Sequence, residues 1–472
     1  MLRDRWFGVT STTARNRRIV VDEPGAVSGR RTCCTGPDSQ LHPLRIIQPI
    51  RRRKPQEWTG YRFRVKSRWG RAPSVGVCVA VVSVFGMGIA ACTSTSNDDS
   101  TAGASSSTVS STSVKLSAEA VEQRGGIVRT DDIPEAWSLP DGTVAKRLVY
   151  RSTSGVDGSA TNVSGAVFVP GSTPPAGGWP LIAYAHGTTG ITPDCAPSDQ
   201  PDMFGDLTAV RDFLDAGYAV VTTDYQGLGT RTGQRAPHPY LEPVTAGYNV
   251  IDSARAAQST GLGISPRWLA AGRSQGGAAV WSAAEEFGGY GGGSGELLGV
   301  VAVAPLLDPQ YFATRAQENT LTRAQQHLYP LVVHGVSQAD PAVKPGDHLS
   351  ALDTSAVPQC RDDRTAVSLL SVPKNTSLGA VTPEAAQTLH DRLAAYALPR
   401  TATEVPILAV YGAADDVVPV DVMEDTLRRA CDAGDRVLSD RQELQGHIVN
   451  PGPAMAAWVR DRVAGLPAPS NC

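Results

Sequence analysis

From residue 143 onward, short apolar runs alternate with stretches of helical spacing. Residues 143–154 and 163–169 flank Gly155-Val156-Asp157-Gly158, which predicts two antiparallel strands joined by a loop. Residues 180–185 form a buried type of strand running into the loop His186-Gly187-Thr188-Thr189-Gly190. A helix is expected over 207–215, ending at Gly217, then a strand over 218–223. The alternation continues with a helix over 245–259, spaced through Val250, Ala254 and Ala257, a strand over 268–271, a helix over 278–287 and a strand over 297–303. Apolar strands separated by helices predict an α/β fold, its mostly parallel sheet covered on both faces.

Between 305 and 404 the strand signal stops, while 311–329 and 383–396 look helical. So long a strandless stretch is not a plain connection, and it predicts an inserted helical cap. The sheet resumes at 405–411, followed by a helix over 420–430, a strand over 436–438 and a closing segment over 453–463. No internal repeat interrupts this order.

The amino-terminal part has a different pattern. Residues 1–64 are arginine-rich, with Arg51-Arg52-Arg53-Lys54, and lack apolar periodicity, so they are read as an extension outside the packed fold, with Val65 a possible alternative start. Residues 65–92 have the layout of an export signal: Lys66, Arg68 and Arg71 are followed by an apolar run over 75–88 and by Ile89-Ala90-Ala91-Cys92. The last four residues look like a lipobox, which makes Cys92 the lipidation site and the mature amino terminus. Ordinary cleavage or a retained anchor are the alternatives, the apolar run being at the lower length limit for a spanning helix. Residues 93–118, largely Ser, Thr, Ala, Gly and Asp, read as a tether, and 119–472 as the folded α/β domain with its cap at 305–404. The expected location is the cell envelope, lipid-anchored on the outer face of the cytoplasmic membrane, or the medium.

A net charge of −3 over 472 residues gives no basic excess for nucleic acid. No Cys/His spacing suits a metal, and neither metal nor organic cofactor is called for. Beyond Cys92 the remaining cysteines are Cys195, Cys360, Cys431 and Cys472. In an oxidising compartment an even number favours two disulfides, in any of three pairings, over buried free thiols.

The candidate chemistry centres on Gly272-Arg273-Ser274-Gln275-Gly276-Gly277, a G-x-S-x-G stretch between a predicted strand and a predicted helix. In that setting the serine occupies a sharp turn and becomes a nucleophile. A serine nucleophile needs a base to take its proton and a carboxylate to orient that base. In α/β hydrolases they follow in the order Ser, Asp, His. Asp415, just past the strand ending near Gly412, is the preferred acid and Asp416 its rival; either could instead be an ordinary turn aspartate. His447, in Gln445-Gly446-His447, is the base. Oxyanion donors are expected from the Gln275 amide and from Gly187, Thr188 or Thr189, His186 being a loop-shaping residue.

Thr223-Asp224-Tyr225-Gln226-Gly227-Leu228-Gly229, His238-Pro239-Tyr240-Leu241 and Ala246-Gly247-Tyr248-Asn249-Val250-Ile251-Asp252 together resemble the secretory lipase family. The resemblance runs in motif order from residue 127 to the end. It implies an α/β-hydrolase fold with a helical cap, hydrolysis of acyl esters or triacylglycerols, and Ser274, Asp415 and His447 as triad. It also implies the pairings Cys195 with Cys360 and Cys431 with Cys472. The expected substrate is an acyl ester or lipid, with the membrane reached through the anchor and no obligate protein partner. The alternatives are a serine peptidase or acyltransferase of the same fold, or a non-catalytic envelope binding protein.

Overall fold

The computed structural model describes residues 114–133, 137–229, 236–349, 360 and 381–472. The extension, the signal with Cys92, and residues 93–113 of the expected tether lie outside them. Among the described residues, no helix is long and apolar enough to cross a membrane.

Nine strands form one sheet: β1 (Ile127–Asp132), β2 (Val144–Thr153), β3 (Ala160–Val169), β4 (Trp179–Ala185), β5 (Ala219–Thr223), β6 (Ile264–Arg273), β7 (Glu296–Val303), β8 (Ile407–Gly412) and β9 (Val437–Gln442). Their spatial order is β1-β2-β3-β5-β4-β6-β7-β8-β9. Pairing is antiparallel from β1 through β3 to β5 and parallel from β5 onward. This is an α/β-hydrolase fold. The helices are α1 (Ala118–Gln123), α2 (Leu207–Asp215), α3 (Pro243–Gln258), α4 (Gln275–Tyr290), α5 (Tyr311–Gln317), α6 (Arg323–Ala339), α7 (Pro383–Tyr396), α8 (Val420–Ala433) and α9 (Gly452–Val463).

The central strands are apolar on both faces because each face meets helices. Leu181, Ala183, Trp268, Ala270, Val300, Ala302, Ile407 and Ala409 join the core shared with α3, α4 and α8. Their alternates Ile182, Tyr184, Leu269, Ala271, Val301, Val303, Leu408 and Val410 join the core under α2 and α9. A period of two thus assigns every residue of these strands to one side or the other.

One strand lies outside the predicted pattern, and one predicted helix is divided. β1 carries no alternation, since all six of its positions are exposed at the sheet edge, which is why its sequence gave no strand signal. The helical stretch 311–329 is two helices, α5 and α6, separated by a break in which Asn319 has φ 56°. The second starts in a capping box: the Thr322 hydroxyl accepts from Gln325 N, and the Gln325 side chain accepts from Thr322 N. Between β7 and β8 the described residues form helices and turns with no strand. At the far edge the carboxyl-terminal segment lies along β9, with Asn471 N donating to the Val437 carbonyl at 3.0 Å and the Cys431–Cys472 disulfide closing the end.

Candidate active site

β6 runs into Ser274, which turns at φ 55° and ψ −115° before α4 begins at Gln275. Such a φ is costly for a residue with a side chain, and the surroundings hold it in place. Ser274 N donates to the Val303 carbonyl at 2.9 Å, and the Ser274 carbonyl accepts from Ala278 N and Leu306 N at 3.1 and 3.2 Å. The glycines around it are required by close approach. A Cβ on Gly276 would run into the Ala185 carbonyl, and one on Gly272 into the Gly276 carbonyl.

The expected acid and base lie past the ends of β8 and β9. Past β8, Asp415 Oδ1 accepts from Val417 N at 2.8 Å and Val418 N at 2.9 Å, which aims Oδ2 at His447. His447 Nδ1 donates to that oxygen at 2.8 Å, and Ser274 Oγ donates to His447 Nε2 at 2.9 Å. The Asp415 side chain is 3% exposed and that of His447 15%, so the line is sheltered yet open at the imidazole. Asp416, the rival, is exposed, and its carbonyl accepts from Thr322 Oγ1 at 2.6 Å. The two loops are matched to each other: a Cβ on Gly412 would strike the Gln445 and Gly446 carbonyls, while Ala414 N donates to the Gln445 carbonyl at 2.9 Å.

Residues 202–471 match the family described as secretory lipase. The chain belongs to the secretory lipase family. Its fold is similar to that of Candida antarctica lipase A in its closed state, with TM-score 0.57 and 17% identity over 75% of this chain and 87% of that one. It is also similar to a ligand-bound form of the rice cell wall degrading esterase LipA from Xanthomonas oryzae, with TM-score 0.57 and 18% identity over 72% of this chain and 96% of that one. At these identities the likeness is one of fold. No curated protein matches the chain in sequence.

The motifs that carry the secretory-lipase resemblance brace the loop after β4. Asp224, fully buried, accepts from Ser164 Oγ at 2.6 Å, from Ser198 N at 2.9 Å and from Ser198 Oγ. Tyr225, at φ 66°, sends its hydroxyl to the His186 carbonyl at 2.9 Å. Tyr240 OH and Thr188 Oγ1 are 2.7 Å apart, and Thr189 Oγ1 donates to the Cys195 carbonyl at 2.8 Å. Cys195 is bonded to Cys360, so this loop is tied covalently to the segment between β7 and β8. His186 is buried, with Nδ1 2.6 Å from the Gly187 carbonyl oxygen and no link to Ser274. The backbone amide of Gln275 opens α4 and has no upstream carbonyl within the helix.

Sequence reasoning missed three contributors. Gln325, on α6, donates through Nε2 to the Val417 carbonyl at 2.8 Å and so holds the acid turn from the cap side. Tyr311 is buried, and its hydroxyl meets no partner among the described residues. Burial, then the nearby Asp415 carboxylate and the Tyr240 phenol, push its ionisation well above the usual tyrosine range. His238, read in the sequence only as part of the His238-Pro239-Tyr240-Leu241 motif, contacts the side chain of Gln275. The helical spacing and chain order that signalled the fold carry no trace of these cross-chain contacts.

Proposed function

We propose that this member of the secretory lipase family is an exported serine carboxylic ester hydrolase that works through an acyl-serine intermediate. The observation that carries the proposal is the hydrogen-bonded line from Asp415 through His447 to Ser274. Because a carboxylate only accepts, the His447 proton lies on Nδ1 and Nε2 is free to take the Ser274 proton. Ser274 Oγ then attacks the ester carbonyl, and negative charge forms on the carbonyl oxygen. The Gln275 amide and an amide of the Gly187-Thr188-Thr189 loop donate to that oxygen. Asp415 stabilises the imidazolium, which gives its proton to the departing alcohol oxygen as the C–O bond breaks. Water, deprotonated by the same imidazole, attacks the acyl-serine and releases the carboxylic acid.

The substrate class is acyl esters or triacylglycerols. An export signal ending at Cys92 would place the enzyme in the envelope, lipid-anchored on the outer face of the membrane. Replacing Cys92 with alanine is expected to abolish metabolic labelling of the chain by a fatty-acid probe; undiminished labelling would remove the anchor from the proposal. The decisive experiment measures hydrolysis of nitrophenyl esters from acetyl to palmitoyl alongside peptide anilides, with Ser274→Ala as control. Ester turnover that vanishes in a folded Ser274→Ala protein, together with fluorophosphonate labelling of the unaltered chain at Ser274, is expected. Undiminished turnover in Ser274→Ala, or cleavage confined to the anilides, would overturn the assignment.

A further inference from the structure

The line from Asp415 to Ser274 makes no use of His238. This residue is 3% exposed and lies between Tyr225, stacked at 6.1 Å, and Tyr240 at 6.0 Å. Its Nδ1 is 2.8 Å from the Gln226 carbonyl oxygen and its Nε2 is 3.1 Å from Gln275 Nε2. A carbonyl can only accept, so Nδ1 carries a proton. An amide nitrogen can only donate, so Nε2 is bare. The two contacts therefore specify one neutral tautomer. Burial supports it by pushing the imidazole pKa down to about 4, although the Gln226 carbonyl opposes that shift.

Gln275 follows the nucleophile directly and begins α4. Its side chain is buried, and its Oε1 has no partner among the described residues. The bond to His238 is thus the directional tether identified for this side chain. On the far side of His238, Gly227 lets the two motifs lie against each other, since a Cβ there would collide with the His238 backbone nitrogen. The Asp224 to Gly229 turn, His238 and the start of α4 form one continuous contact.

We infer that His238 is a positioning residue for the oxyanion amide of Gln275: by accepting from the Gln275 side chain, it fixes the first turn of α4 so that the backbone N–H faces the developing negative charge. The inference rests on the acyl-serine reading given above. Deleting an oxyanion donor outright slows turnover about 10²–10³-fold. Misaiming one that is still present forfeits part of this, about 10–30-fold in kcat. KM should stay within about twofold, because the lost interaction strengthens only as charge develops.

The test compares kcat, KM and thermal midpoint on a short-chain nitrophenyl ester for the unaltered chain, His238→Phe, Gln275→Met, the double variant and Ser274→Ala. His238→Phe keeps a ring between the tyrosines and removes both hydrogen bonds; Gln275→Met keeps the length and the backbone N–H and removes the amide. Each single change is expected to lower kcat about 10–30-fold at nearly constant KM. The double variant should be no slower than the slower single, because both changes cut the same link. Unchanged kcat in Gln275→Met, or a double variant whose loss is the product of the two single losses, would overturn the inference. Should His238→Phe fail to fold, kcat of Gln275→Met decides alone. An active Ser274→Ala would overturn the acyl-serine reading and this inference with it, whereas an inert Ser274→Ala beside a fully active Gln275→Met would overturn this inference only.

Discussion

The proposed nucleophile and its two proposed partners are held in opposite ways. Ser274 sits in the middle of the sheet on a turn made of consecutive residues, packed through Gly272 and Gly276 against the next strand and backed by the Val303 carbonyl and the Leu306 amide. Asp415 and His447 sit on loops near the sheet edge, fixed by contacts between segments far apart in the chain: Gly412 with Gln445, Thr322 with Asp416, Gln325 with Val417. The serine turn is therefore a local, close-packed device. The acid and base form a distributed one, held by hydrogen bonds from the cap and from each other.

The largest expected effect comes from breaking the distributed side at its centre. Asp415→Asn should lower kcat about 10⁴-fold, because the imidazole is left in the wrong tautomer, with KM little changed. Asp416→Asn should stay within about threefold, and steady-state kinetics of the pair would exchange the roles of Asp415 and Asp416 if the order were reversed.

The local side should instead break by collision. Gly276→Ala places a methyl group into the Ala185 carbonyl, so a stability loss of about 3 kcal/mol is expected with activity falling alongside it, read by denaturant titration. A variant as stable as the parent would show that the turn has more slack than its packing implies.

The serine turn is also flanked by a buried imidazole from outside it, which gives it a pH limit. His238 has its pKa lowered to about 4 from 6.5, chiefly by burial, so the unfolded chain binds its proton more readily than the folded one. The stabilisation from keeping this ring neutral is complete above about pH 6.5 and is lost as pH falls through about 4. Across that window the difference is on the order of 3 kcal/mol. In His238→Phe the fall in stability between these pH values should be shallower by that amount, measured by denaturation at each pH. Equal slopes would mean that the folded protein accommodates the charged ring.

A smaller effect is expected on the outer support of the distributed side. Gln325→Ala removes the bond its side chain accepts from Thr322 N and the one it donates to the Val417 carbonyl, while the Thr322 hydroxyl still caps α6, so about 1–2 kcal/mol of stability and about tenfold in kcat should be lost. Loss of stability with unaltered kcat would show that Asp415 is aimed well enough by the Val417 and Val418 amides alone.

Sequence patterning located most elements from residue 143 onward because a strand covered on both faces and a helix covered on one leave different periods in the chain. The predicted helices at 207–215 and 383–396 have the same ends in the structure. β1 was invisible for the complementary reason, that an edge strand exposed at every position buries nothing. The split of 311–329 depends on a turn at Asn319, a conformation for which a side chain of that type gives only weak notice.

By itself the sequence determined the α/β class, the strained serine turn with its glycines, and the order in which serine, acid and histidine occur, since each of these depends on local geometry or on periodic burial. Only the tertiary structure placed Asp415 and not Asp416 against His447, set the neutral tautomer of His238, and brought Gln325 to the loop that carries Asp415. Those outcomes depend on which atoms meet across the fold, where a shift of one residue changes the hydrogen-bond partner while leaving the hydrophobic pattern intact.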